Sequence, residues 1–408
     1  LDHYGFLKES GEYGGTVTVT DADLNAGDVV TWTRDTIEVL DGLVFVEDGA
    51  VLNIEAGTVI KGKPGAGENA SALIICQDAK IFAEGTAMNP IIFTAESDDI
   101  TDPNDIPFGT SGLWGGLLVL GNSTINTAEG VGNIEGIPSS EPRGQYGGTD
   151  EHDSSGVIRY VSVRHGGTDI GEGNEINGVT FGAVGDGTTV EYVEVFNNND
   201  DGFEWFGGTV NCKNLIAAFC KDDSYDYDEG FRGKGQFWFT IQAADYGNRG
   251  GEHDGGTTPE DGTPYATPMI YNATYIGSGP SSTNADSDYA LKIRDNAGGF
   301  YHNSIFAEFT GMGVDVEDLD SGEDSAARLA AGDLMITHNI FNGFGAGAVW
   351  AAIGKQANIA AHLEANNNAI VDPMLKSISR TQDHMLDPRP VADGPAYQSL
   401  AAPPAEDD

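Results

Sequence analysis

The 408-residue chain carries 64 Asp and Glu against 20 Lys and Arg, for a formal charge of −44, together with 57 Gly and only 3 Cys. So acidic a surface repels polyanions, which excludes a general nucleic-acid binder and a polybasic membrane binder. It suits either a cation-rich niche, with calcium sites or high salt, or the ordinary acidity of a secreted protein.

In chain order, the first residue is Leu1 rather than Met, which points to a leader already removed. Residues 1–42 read as an N-terminal segment and cap. From residue 43 the apolar residues fall in short runs rich in β-branched and aromatic types, bounded by Gly, Asn and Asp. Leu43–Val46, Val51–Ile54, Ala72–Ile75, Pro90–Phe93 and Leu117–Leu120 are examples. Such runs are strands separated by turns. Helical periodicity is confined to two places. Ser321–Ala331 opens on a cap-competent Ser and stops before Gly332, and the Ala-rich stretch Lys355–Asn366 is suited to cover the C-terminal end. Beyond Asp372, the prolines of Asp387–Pro390, Pro395 and Pro403–Pro404 predict an extended strap, so residues 351–408 form a C-terminal helix and tail. Cys76, Cys212 and Cys220 are too few for a disulfide framework and fit strand patterns as small buried hydrophobes. No apolar run approaches the ~20 residues needed to cross a bilayer.

The chain also resembles itself. Ile158–Val163 matches Val190–Val195 after 32 residues, Asn303–Phe309 recurs as His338–Phe344 after 35, and Asn272–Gly277 is a weaker copy. Strand-dominated repeats with Asn at the turns predict an all-β fold over residues 43–350. The fold they predict is a right-handed parallel β-helix, a pectate-lyase-like solenoid with terminal caps and a short inserted helix. A propeller blade needs about 40–45 residues and a signature that is missing here. Coils stacked at ~4.8 Å align inward Val, Ile, Leu and Phe into ladders, and Gly and Asn take the corner conformations.

Leu43–Ala50 with Leu52–Gly62 resembles the opening coil of secreted β-helix proteins of marine and gut bacteria, a Bacteroidota-like family of surface proteins and lipoproteins. Gly112–Gly116, Ile134–Pro138, Arg143–Gly148, Arg164–Gly167 and Asn199–Glu204 are similar too, and the likeness is strongest over residues 30–350. It implies the fold and export to the cell surface, and little about function. In that family a segment similar to Leu1–Leu7 follows the Pro-rich tail, whereas here it stands first. That departure is either a coincidental or permuted segment or a sign that units join head to tail, and such a contact on an open-ended solenoid builds a filament.

Chemistry concentrates at residues 190–234. Val190–Phe196 runs into one acidic turn and Asn214–Phe219 into a second, which stacks Asp200, Asp201 and Glu204 on Asp222, Asp223, Asp226, Asp228 and Glu229. Two carboxylates ~5 Å apart repel by roughly 3 kcal/mol at an effective dielectric near 20. A raised pKa, a basic partner such as Arg232 or Lys234, or a cation relieves that cost. Calcium takes roughly six to eight oxygens, so Asp200, Asp201, Glu204, Asp222, Asp223, Asp228 and Glu229 are its candidate ligands, beside Asn197–Asn199. The alternative is a solvated acidic face, and no loop has EF-hand spacing.

Glu252, His253 and Asp254, framed by glycines, form a candidate ligand-binding turn. His253 could serve as a general base, or as a zinc ligand with His165. Incidental charge on a surface turn is the plainer alternative. Parallel β-helices also host polysaccharide lyases and glycoside hydrolases. In that reading Asp226, Asp228, Arg232 and Lys234 are catalytic candidates, and Trp205, Phe206, Tyr225, Tyr227, Phe231, Phe237 and Trp238 offer stacking faces to a glycan. A charge of −44 repels a polyuronate. The leading expectation is therefore an extracellular or cell-surface structural and binding protein, stabilised by calcium and self-assembling into filaments. A carbohydrate-active enzyme using the acidic groove at 200–234 is the alternative.

Overall fold

A computed structural model describes residues 14–102, 104–171, 174–398 and 400–402. The apolar runs form short strands, and each coil of chain bonds to the coil before it and the coil after it. One wall is a nine-stranded parallel sheet that begins at Leu43–Val46, passes through Phe203–Phe206, Tyr225–Asp228 and Gly251–Asp254, and ends at Met312–Val316. The other is a 19-stranded sheet to which most coils contribute two segments that meet at a corner. The right-handed parallel β-helix predicted from the repeats is the observed fold. Ile158 pairs with Val190, and Ile305 with Ile340, so the internal copies are neighbouring coils in register.

At the corner the backbone turns left-handed. Tyr160, Tyr192, Asn214, Phe237, Asn272 and Asn303 occupy it in successive coils, with φ of 49°, 54°, 60°, 58°, 59° and 56°. Inside, side chains stack by type. Ile75, Val119, Phe181, Trp205 and Tyr227 form one inward ladder of the nine-stranded sheet. Trp205 lies flat on Trp238 across the core, ring centroids 4.9 Å apart at 1°. Cys76, Cys212 and Cys220 are buried and unpaired.

The winding starts earlier than expected. Thr16–Val19, Val29–Trp32 and Ile37–Leu40 pair in parallel with the strands that follow, so residues 16–40 are coil where a cap was predicted. The first inserted helix also differs. It spans Ser325–Ala331, and its cap is Asp324 rather than Ser321, because the Asp324 carboxylate accepts the backbone N–H groups of Ala327 and Leu319. Trp350–Ile353 and Ala357–Ala365 close the C-terminal end, with Ile353, Ile359 and Leu363 buried in the core. The tail is a strap. Leu375–Ser377 pairs with Asp387–Pro390, and Arg380 ties it to the solenoid through Glu308 Oε2 at 2.8 Å. Leu1–Leu7, on which head-to-tail joining rests, lies outside the described residues.

Candidate cation site

Strand alternation decides which acids meet. Phe203, Trp205, Tyr225 and Tyr227 enter the core, so Glu204 and Asp226 stand on the outer face of the nine-stranded sheet. Parallel register places Glu204 beside Asp226, and Asp226 beside Glu252. The turns that lead into these strands carry Asp200 and Asp201 in one coil and Asp222 and Asp223 in the next. Three triads result: Asp200, Asp201 and Asp222; Asp201, Glu204 and Asp226; Asp223, Asp226 and Glu252. In each, one oxygen per carboxylate lies within 4.8 Å of the others. Asp201 and Asp226 each belong to two triads, so the three are continuous.

These acids are closed in rather than displayed. Asp201, Glu204 and Asp223 are buried. Burial first, then the charges of their neighbours, pushes Asp201, Glu204, Asp223 and Asp226 well above the usual carboxylate range, and Asp200 to about 7. Part of the cost is met internally. Asp223 N donates to Asp201 Oδ1 at 2.8 Å, Asn248 Nδ2 donates to Asp222 Oδ1 at 2.6 Å, and Asn177 Nδ2 donates to Glu204. Asp226 Oδ1 is buried without a hydrogen-bond partner.

Positive charge gathers at one end only. Lys292 Nζ, Arg294 Nη1 and Arg249 Nη1 lie 3.2, 3.3 and 3.6 Å from Glu252, and Arg294 Nε is 2.7 Å from Asp254. Burial alone would raise Glu252, but Arg249, Arg294 and Lys292 together hold it below its ordinary range. Among the described residues, Asp200, Asp201, Glu204 and Asp226 make no such ion pair. A donor set made wholly of oxygen, with one buried oxygen unmatched, fits a hard cation of the calcium class and not zinc.

Several predicted residues stand elsewhere. Asp228 accepts from Thr257 Oγ1 at 2.8 Å and Glu229 from Tyr146 Oη at 2.8 Å, and neither joins a triad. Arg232 binds Glu151 at 2.7 Å and the Gly230 carbonyl, and Lys234 lies on a strand of the other sheet, so neither is placed to neutralise the stack. His253 points inward, one residue out of phase with Glu252 and Asp254. It stacks on Tyr227 at 3.9 Å and shares a hydrogen bond with Tyr301 Oη at 2.6 Å. Burial drives its pKa down to about 3, so it is a neutral core residue rather than a ligand or base. His165 is likewise buried, with Nδ1 2.7 Å from the Thr110 carbonyl. Trp205, Tyr225, Tyr227, Phe231 and Trp238 fill the core, Phe206 packs beside Tyr146, and Phe237 is exposed on the 19-stranded sheet. No aromatic platform from this set flanks the acids.

Asp226 links two of the triads and Glu252 completes the third, whereas the sequence pattern places Asp226 in catalysis and Glu252 in a separate turn. A fourth triad, Glu260, Asp295 and Glu317, draws its members from three different coils. A family model described as a pectate-lyase like beta helix domain matches residues 23–372. No curated protein and no solved structure matches the chain.

Proposed function

The chain belongs to the pectate-lyase-like β-helix domain family, and from that premise we propose that it is a cell-surface or extracellular structural and binding protein whose acidic stack holds calcium. One observation carries this reading: Asp201 and Asp226 bridge three carboxylate triads, and Asp226 keeps a buried oxygen with no partner. The family alone does not decide between a scaffold and an enzyme, since function resides in sites rather than folds. A hydrolase needs two carboxylates facing each other across a substrate cleft, about 5–9 Å apart. Here the acids crowd within 4.8 Å and are largely buried, which suits ion binding better than access by a polymer.

An extracellular setting agrees with this. Modules in that compartment bind calcium at about 10⁻⁴–10⁻³ M, concentrations that the cytosol does not supply. Ligand binding to the folded state raises stability by RT ln(1 + [L]/Kd), about 2.7 kcal/mol at a hundredfold excess over Kd. Thermal melts in calcium and in chelator test the proposal. The expected result is a rise of several degrees with calcium that is lost in Asp201→Asn and Asp226→Asn, with no cleavage across a glycan panel. A melt indifferent to calcium, or glycan cleavage abolished by Asp226→Asn at unchanged stability, overturns it. Head-to-tail assembly belongs to the same proposal. Electron microscopy tests it, with filaments as the expected outcome and monodisperse particles at all concentrations as the contrary one.

A further inference from the structure

We propose that the cleft between the 19-stranded sheet and the C-terminal strap binds a neutral saccharide chain. This site is separate from the acidic stack and depends on no step of the calcium reading. The cleft encloses about 530 Å³, within the ~300–1,000 Å³ typical of ligand pockets. Its floor is the outward column Ser162, Glu194 and Ile216, in register on adjacent coils. Its rim is Tyr160, Tyr192 and Phe237 at the corner, and the strap residues Pro388–Pro390 form the far wall.

The rim residues are unexpected at their positions. A left-handed corner favours Asn, as at Asn214, Asn272 and Asn303, and a bulky ring there costs conformational energy that Asn avoids. Tyr160, Tyr192 and Phe237 nevertheless occupy it, and all three line the cleft. Bulky left-handed residues also occur at other corners, His165 and Phe219 among them, but these three rings border one cavity, which points to use. Tyr160 and Tyr192 stack at 4.5 Å and 5°. The next coil presents the shorter Asn214, and the one after it Phe237. Between Tyr192 and Phe237 there is therefore an interval of two coils, ~9.6 Å at the usual strand spacing, wide enough for one flat ring with an aromatic side chain on either side.

The polar part of the site is built rather than incidental. Glu194 is only 9% exposed, and Ser162 Oγ donates to its Oε2 at 2.8 Å while accepting from Arg164 Nε at 2.9 Å. This chain holds a carboxylate in the floor of a mainly apolar cleft, where it can accept a hydroxyl. Charge then narrows the ligand class. The net −44 disfavours a polyanion. Lys213 Nζ, 5.9 Å over the Phe237 ring, already places a cation on that aromatic side and disfavours a second one, whereas Arg389 in the far wall is neutralised by Asp387. A neutral ligand with apolar ring faces and a hydroxylated edge remains, which describes a neutral saccharide.

The test is calorimetric titration of the full chain, in calcium, with neutral hexasaccharides of β-1,4-glucan, β-1,3-glucan, xylan and mannan. Oligogalacturonate and tetramethylammonium serve as charged controls. At least one neutral hexasaccharide is expected to bind. Tyr192→Ala and Phe237→Ala, both at exposed positions, should weaken it at least about tenfold with unchanged melting temperature. Glu194→Gln should weaken it less, and Asp226→Asn should leave it unchanged. The proposal fails if no neutral saccharide binds, if only a charged control binds, or if affinity survives both aromatic substitutions.

Discussion

Asp226 and Glu252 stand in register on adjacent strands of the same outer face, yet only Glu252 has cations beside it. One step along the stack thus separates a carboxylate held below its ordinary pKa from one pushed well above. The stack has a neutralised end and an open end, and the open end is where a cation or a proton must enter.

That asymmetry sets the pH dependence. In Asp200, Asp201, Glu204, Asp223 and Asp226 the folded-state pKa exceeds the unfolded value of about 4, so the native state binds more protons than the unfolded chain. Their contribution is fully present below pH ~4 and is lost as pH rises through the folded values, which for Asp200 means about 7. In chelator, the melting temperature should therefore fall between pH 5 and pH 8, and calcium should largely remove the fall. Asp226→Asn should flatten the slope, while the exposed control Glu129→Gln should not. Equal slopes in the two variants would assign the effect to overall charge instead.

The two arginines at the neutralised end should differ. Arg249 is 18% exposed and faces Glu252 and Asp288, so Arg249→Ala strips one of three cations from the buried Glu252 and the ion pair from half-buried Asp288, and should cost about 2 kcal/mol. Arg294 is 38% exposed and solvent screens its pairs, so Arg294→Ala should cost about 1 kcal/mol despite its shorter contact with Asp254. Denaturant melts measure both, and the reverse order would refute the burial argument.

His253 should stay neutral. Its folded pKa, about 3, lies below the unfolded value near 6.5. The stability it contributes is present above pH ~6.5 and lost as pH falls toward 3, opposite in sign to the carboxylates. NMR of the ring should show no titration between pH 8 and pH 4, and a midpoint near 6 would place the ring in solvent.

The thiols should be silent. Cys76 and Cys220 are buried, with pKa values pushed up to about 12 by burial. A disulfide reagent should label none of the three in the native protein and all three after unfolding, and reductant should leave the melting temperature unchanged. Rapid native labelling of Cys212 or Cys220 would contradict the packing.

Much of the site was legible wherever a coil was repeated at nearly constant length. Asp200 and Asp201 align with Asp222 and Asp223 at the 22-residue offset of Phe203 from Tyr225, so the first two turns could be stacked by counting. The count then breaks. Asp226 reaches Glu252 after 26 residues and Glu252 reaches Lys292 after 40, because loops of unequal length interrupt the strands. The cations at one end, and the role of Asp226 as a link, were hidden for that reason. His253 was misplaced by parity, since only its pairing with Tyr227 shows that it faces inward.

Composition, strand period and the local copies determined by themselves that the chain is an acidic parallel β-helix, because each coil bonds only to its neighbours and repeats its own pattern. Only the tertiary structure decided which acids are buried, which are paired, and which aromatic side chains leave the core for the cleft under the strap. Those outcomes depend on loop lengths and on a C-terminal segment that returns across distant coils, and a register counted along the sequence carries neither.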